Sequence, residues 1–129
     1  MRMIFLAIGF VPFLTACADD CANSIVAQSR SPDGSHRAVL FQRDCGASTG
    51  FSTQISILAG DEALAGSGNA FIADDDHGAA ATGGWGGPWA AMTWLAPDRL
   101  QISYAAKSRI FAQDDSVSGV AISYQSVSR

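Results

Sequence analysis

Asp74-Asp75-Asp76-His77, followed by Gly78, is the most concentrated set of metal-capable side chains in this 129-residue sequence. Hard cations take several oxygen ligands at fixed geometry, and Ca²⁺ loops space carboxylates at alternate positions around a glycine turn. Asp74, Asp76 and Gly78 match that spacing in part. The distal glutamate of such a loop is missing, since the sole glutamate, Glu62, lies upstream. The expected state is therefore a solvated acidic loop, with no metal and no cofactor. Zinc is a poorer fit, because His36 and His77 are the only imidazoles and no spare thiol pair accompanies them. Ser48, Thr49, Ser52 and Thr53 supply hydroxyls near Cys45. A hydrolase needs a nucleophile, an orienting base and an acid, and no Gly-x-Ser-x-Gly elbow is present; Gly66-Ser67-Gly68 reads as a loop. A nucleophilic Cys45 would need a histidine or a helix N-terminus to lower its pKa, and neither is signalled nearby. Gly83-Gly84-Trp85-Gly86-Gly87 lacks the Gly-Lys-Ser/Thr ending and following helix of a phosphate cradle, and Lys107 is the only lysine. No catalytic residue is expected.

The cysteines set the compartment. Ile4 to Leu14 is an apolar run that follows Met1-Arg2 and ends in Leu14-Thr15-Ala16-Cys17. The run is too short for a spanning helix, which needs about 20 apolar residues, and it contains Pro12. A basic start, a short apolar stretch and a Leu-x-Ala-Cys ending together resemble a bacterial lipoprotein signal. That resemblance implies residues 1–16 as signal peptide, a diacylglycerol thioether on Cys17, residues 17–23 as a lipidated tether and residues 24–129 as one domain. The alternative, an ordinary secretory signal cleaved near Ala18, also exports the chain. Ala18 occupies the position where aspartate marks inner-membrane retention in enteric bacteria. The outer membrane, facing the periplasm, is accordingly the expected location. With Cys17 on lipid, Cys21 and Cys45 remain as an even pair in an oxidising compartment, where a disulfide is the default. It would stabilise the fold by roughly 3 kcal/mol in the chain-entropy model.

Strands must position these residues. Apolar side chains alternate at Phe51-Thr53-Ile55-Ile57, Leu100-Ile102-Tyr104 and Val120-Ile122-Tyr124, each with polar residues between. Ala38 to Phe41 is a continuous apolar run and reads as a more central strand. Ile25–Arg30, Ala70–Ala73, Trp89–Leu95 and Arg109–Ala112 complete seven or eight strands. Ser31-Pro32-Asp33-Gly34, Ala96-Pro97-Asp98 and Gln113-Asp114-Asp115-Ser116 are turn signals, and predict sequential hairpins. The expected fold is all-β: a small antiparallel sandwich or partly closed barrel. Asp74 to Pro88, with its glycines, breaks the pattern as a long loop expected to be the most mobile part of the domain. Trp85 and Trp89 bracket its end. Exposed, they would make a contact surface with Asp74, Asp75, Asp76 and His77; folded back, they would belong to the sheet edge.

Ser31-Pro32-Asp33-Gly34 also echoes the turns of β-propeller blades, but 129 residues are too few for a propeller. Arg43-Asp44-Cys45-Gly46-Ala47-Ser48-Thr49, followed by Phe51-Ser52-Thr53, with that upstream turn, resembles a family of small uncharacterised proteobacterial lipoproteins. They share an Arg-Asp-Cys-Gly-Ala-Thr-Thr-like segment, and Ser48 stands where a threonine is expected. The resemblance implies a shared fold and the disulfide, and imports no activity. Removing Arg2 with the signal leaves seven basic against twelve acidic residues, which argues against nucleic acid as a partner. The expected function is that of a non-catalytic envelope lipoprotein, membrane-bound through its lipid, that binds a protein or cell-wall component. One alternative is an acidic periplasmic inhibitor of a cationic hydrolase such as lysozyme, although the Ser-Gly-x-x-Tyr and Tyr-Trp-x-Lys-Gly motifs of such inhibitors are not found. An enzyme of unknown type is another.

Overall fold

The alternating segments form strands, and two of the turn signals, Ser31–Gly34 and Ala96–Asp98, join consecutive strands as hairpins. The computed structural model describes residues 21–46 and 51–129. The signal, the lipidation residue Cys17, Ser48 and Thr49 lie outside the described residues. The strands are β1 (Ala22–Arg30), β2 (His36–Asp44), β3 (Ser52–Ala59), β4 (Phe71–Asp74), β5 (Ala90–Ala96), β6 (Arg99–Ala105), β7 (Arg109–Gln113), β8 (Ser116–Val117) and β9 (Val120–Val127). Sheet one has the order β1-β2-β3-β4-β7 and sheet two the order β5-β6-β9-β8. The two pack as a sandwich and do not close into a barrel.

The inner faces follow the alternation. Ala38, Leu40, Ile55, Ile57, Phe71 and Ala73 of sheet one meet Leu100, Ile102, Val120 and Ile122 of sheet two. Phe71 stacks between Tyr104 and Tyr124, with ring centroids 5.6 and 6.0 Å away. At about 25 cal/mol per Å² of apolar surface removed from water, this core supplies the main drive to fold.

Strand β2 is buried on both faces, as its continuous apolar run implied. Val39, Phe41 and Leu58 form a second apolar cluster on the outer face, with Leu64 packed against it. The segment 60–69 is the cover. Arg37 Nη1 and Nη2 donate to the carbonyls of Gly60 and Glu62. Asn69 bonds both the N–H and the C=O of Ile57, and Asn23 of β1 donates to Gly66 O.

Two expectations need correction. Gln113–Ser116 is not a hairpin turn: it carries the chain from β7 in sheet one to β8 in sheet two. The tight turn comes later, at Ser118-Gly119, where both residues have positive φ (51° and 79°). That is the signature of a type I′ hairpin turn, whose twist matches the flanking strands. The sheets are also not a pure antiparallel meander. Strand β9 runs parallel to β6, from Arg99↔Ala121 to Ala105↔Val127, because after β6 the chain crosses back along sheet one as β7 and re-enters sheet two through β8. The Tyr124 hydroxyl holds that crossover, donating to Asp114 O at 2.7 Å.

The registers define two ends. Cys21 bonds Cys45 through a 2.05 Å S–S bond beside the Ala22↔Asp44 pair. At this disulfide end lie the start of β3, the end of β4 and the start of β7. At the opposite, turn end, Asp33 closes the β1–β2 hairpin by accepting from Ser31 Oγ, Ser35 Oγ and Ser35 N. There His36 Nε2 meets Ser118 O at 3.2 Å, tying the two sheets together.

Candidate functional site

The Asp74-Asp75-Asp76-His77 run is used first as turn chemistry. Asp74 ends β4 and its carboxylate accepts the N–H of Asp76 at 2.9 Å. Asp76 and His77 both adopt positive φ, 50° and 56°, a conformation that aspartate and histidine tolerate better than most residues. Ala79 and Ala80 then donate to the carbonyls of Asp76 and Asp75, which closes the turn. Asp74 is further committed to Arg109, whose Nε donates to Oδ1 at 3.0 Å while Nη2 donates to Oδ2. This fork pulls the Asp74 carboxyl below the usual carboxylate range, the hydrogen bond from Arg109 being the largest cause, and raises the guanidinium of Arg109 in turn. Among the described residues no three His, Cys, Asp or Glu side chains converge to hold a metal ion.

The rest of the loop folds back onto sheet one. The Trp85 indole N–H donates to Thr53 Oγ1 at 2.9 Å, and that fully buried hydroxyl donates to Pro88 O at 2.6 Å. Gly83 and Gly87 allow the ring to lie there. A Cβ on Gly83 would stand 2.3 Å from the Trp85 ring, and one on Gly87 2.5 Å from Thr53 Oγ1. The glycines thus provide close approach to an aromatic ring, where the sequence alone suggested freedom. Gly83 and Gly86 bond across the turn, and Thr82 bridges Pro88. Trp89 is half-buried, and the Arg129 guanidinium lies 4.0 Å from its ring centroid. Neither tryptophan is an open apolar contact.

What the strands do assemble is a cleft of about 540 Å³ on the outer face of sheet one, at the disulfide end. It is lined by Arg43 and Cys45 from the β2 end, Ser52 and Gln54 of β3, Ile72 and Asp74 of β4, Arg109 and Phe111 of β7, and the turn residues Asp75, His77 and Gly78. The floor is fixed. Buried Arg43 donates to Asn23 Oδ1 at 2.7 Å, Ser52 Oγ donates to Arg43 O, and Gln54 bonds both Ser52 Oγ and Gly68 N. The rim is open. Phe111 is 61% exposed and Arg109 lies over its ring at 5.2 Å.

Of the residues singled out by the sequence, Asp74, Asp75 and His77 line this cleft, with Cys45 at its edge; Asp76, Trp85 and Trp89 do not. Sequence reasoning missed Arg43, Gln54, Ile72, Arg109 and Phe111. Their signal was the alternate set of the strand pattern, the residues between the core positions, which only the pairing of β2, β3, β4 and β7 brings side by side. No protein-family model, curated protein or solved structure matches the chain, so its own geometry carries the functional reading.

Proposed function

We propose that the protein is a lipid-anchored binding module of the cell envelope, facing the periplasm, which engages an envelope protein or cell-wall component through the outer-face cleft of sheet one. The supporting observation is the cleft itself: ionisable and polar side chains from four adjacent strands around one open hollow, on a floor whose hydrogen bonds are made within the fold. Rigid presentation of this kind lowers the ordering cost of binding. The Ser52 hydroxyl proton is committed to the Arg43 carbonyl, which fits a binding surface better than a nucleophile. The test is capture from envelope extract on signal-processed protein immobilised through residue 17. A component retained by the wild type and lost with Arg109→Ala or Phe111→Ser supports the reading. Capture patterns indifferent to both substitutions would sink it.

A second reading draws on the turn end. Asp33, Asp61, Glu62, Asp98, Asp114 and Asp115 lie there with Arg30, Arg37 and Arg99, leaving an excess of three negative charges. A cationic partner, such as a basic hydrolase held in check by an acidic inhibitor, suits that pole. Inhibition of lysozyme that is lost on replacing Asp98, Asp114 and Asp115 by asparagine would favour it over the cleft.

A further inference from the structure

Cys17 and Cys21 are separated only by Ala18, Asp19 and Asp20. A fully extended chain spans at most about 3.6 Å per residue, so the two cysteines lie within about 14 Å of each other. Cys21 is bonded to Cys45, so the tether pulls on β1 and β2 together and on no other part of the fold. An acyl group on Cys17 would therefore hold the disulfide end towards the bilayer. The strands β1 and β2 are nine residues long, which places the turn end about 30 Å further out.

The side chains at the disulfide end suit that position. The two arginine–aromatic stacks among the described residues are both there, Arg109 over Phe111 and Arg129 over Trp89. Phe51, 43% exposed, adjoins the start of β3, and Phe111, 61% exposed, is the third residue of β7. Of the exposed large apolar side chains only Leu95 lies at the turn end; Ile25 and Val26 are midway along β1. Among the described residues near the disulfide end, Asp44, Asp74, Asp75 and Asp76 are matched by Arg43, Lys107, Arg109 and Arg129, and the tether adds Asp19 and Asp20. Aromatic rings beside guanidinium groups are the side chains that partition to the headgroup layer.

We propose that the disulfide end is a membrane-docking surface, with Phe51, Phe111, Lys107, Arg109 and Arg129 seated on the phospholipid headgroups. The inference rests on the lipid-anchor reading, and its test separates the two. Signal-processed protein is coupled through the Cys17 thiol to a maleimide lipid in vesicles of phosphatidylcholine with a minor share of phosphatidylglycerol, so attachment does not depend on acylation in cells. Amide exchange is compared with the same protein uncoupled. The expected result is about ten-fold slower exchange at 75–79 and 106–111, the factor for a docked form holding about nine molecules in ten, with turns 32–35, 97–98 and 118–119 unchanged. A Phe51→Ser/Phe111→Ser variant, altered only at exposed positions, should lose that protection while remaining folded. Equal exchange at both ends, protection of the outer turns, or protection indifferent to the two serines would each overturn the docking surface. Fatty-acid labelling of cells, present with Cys17 and absent with Cys17→Ser, tests the anchor alone. Labelling without protection removes the surface, and protection without labelling removes the anchor.

Discussion

Replacing Thr53 by valine keeps the shape of a fully buried side chain and deletes one oxygen. That oxygen accepts from the Trp85 indole at 2.9 Å and donates to Pro88 O at 2.6 Å. Pro88 is buried, so its carbonyl would be left without the donor it now has. A buried polar group in that condition costs about 1–3 kcal/mol. Trp85 is half-buried and its N–H can turn partly to water, which adds a smaller amount. We expect Thr53→Val to lower stability by about 2–3 kcal/mol, or roughly 10–20 °C in Tm for a domain of this size. Guanidinium unfolding followed by tryptophan emission measures the loss and reports the Trp85 environment together. Thr53→Ser, which keeps the hydroxyl and removes a methyl, should cost about 1 kcal/mol and leave the native emission in place. Thr93→Val, at an exposed position on β5, should stay within about 0.5 kcal/mol of wild type. A Thr53→Val protein as stable as the Thr93 control, with unchanged emission, would refute the claim that this hydroxyl holds the glycine-rich loop to sheet one.

Cys21→Ala/Cys45→Ala should destabilise the domain by about 3.5 kcal/mol in the chain-entropy model, for cysteines 24 residues apart; non-reducing mass spectrometry of the wild type should show the linked peptide and no free thiol at either position. Hydrogen bonds from Ser35 and Ser31 lower Asp33 from 3.8 to about 2. Its contribution is therefore complete above about pH 4 and lost as pH falls towards 2, and Asp33→Asn should flatten that part of a Tm-against-pH curve. Millimolar Ca²⁺ should leave Tm unchanged for the wild type and for the Asp74, Asp75, Asp76 triple asparagine variant alike; a Ca²⁺-dependent rise confined to the wild type would restore the cation reading.

Period-two alternation was enough to locate β3, β6 and β9, because the core selects every second residue of each. Ala38 to Phe41 was legible as a central strand for the converse reason: both of its faces are covered. Ser116–Val117 was not legible, since two residues have no period. The parallel neighbour of β6 was hidden as well, because nothing local in Val120–Val127 distinguishes a parallel partner from an antiparallel one. The candidate site was half visible. The acidic turn stood out by composition, but Arg43, Gln54 and Phe111 are 11 and 57 residues apart in sequence and meet only through strand pairing. The role of Gly83 and Gly87 was not legible for a physical reason: a missing Cβ can serve flexibility or close contact, and only the position of Trp85 reveals the contact.

The place of β9 inside sheet two governs the order in which this protein can assemble. Strands β1, β2 and β3 join by neighbouring hairpins and need nothing from later sequence. Sheet two is different: β6 has β5 on one side, and on the other waits for Val120–Val127, with Val127 closing the ladder opposite Ala105. Until that segment arrives, Leu100 and Ile102 lack the neighbours that cover them, and loop-closure entropy is spent before the contacts that offset it form. A chain that folds from its N-terminus would have β1, β2 and β3 paired while β7 is still missing from sheet one and the sandwich is open. Completion falls to the last strand of the sequence, which makes closure of the sandwich a late, cooperative event.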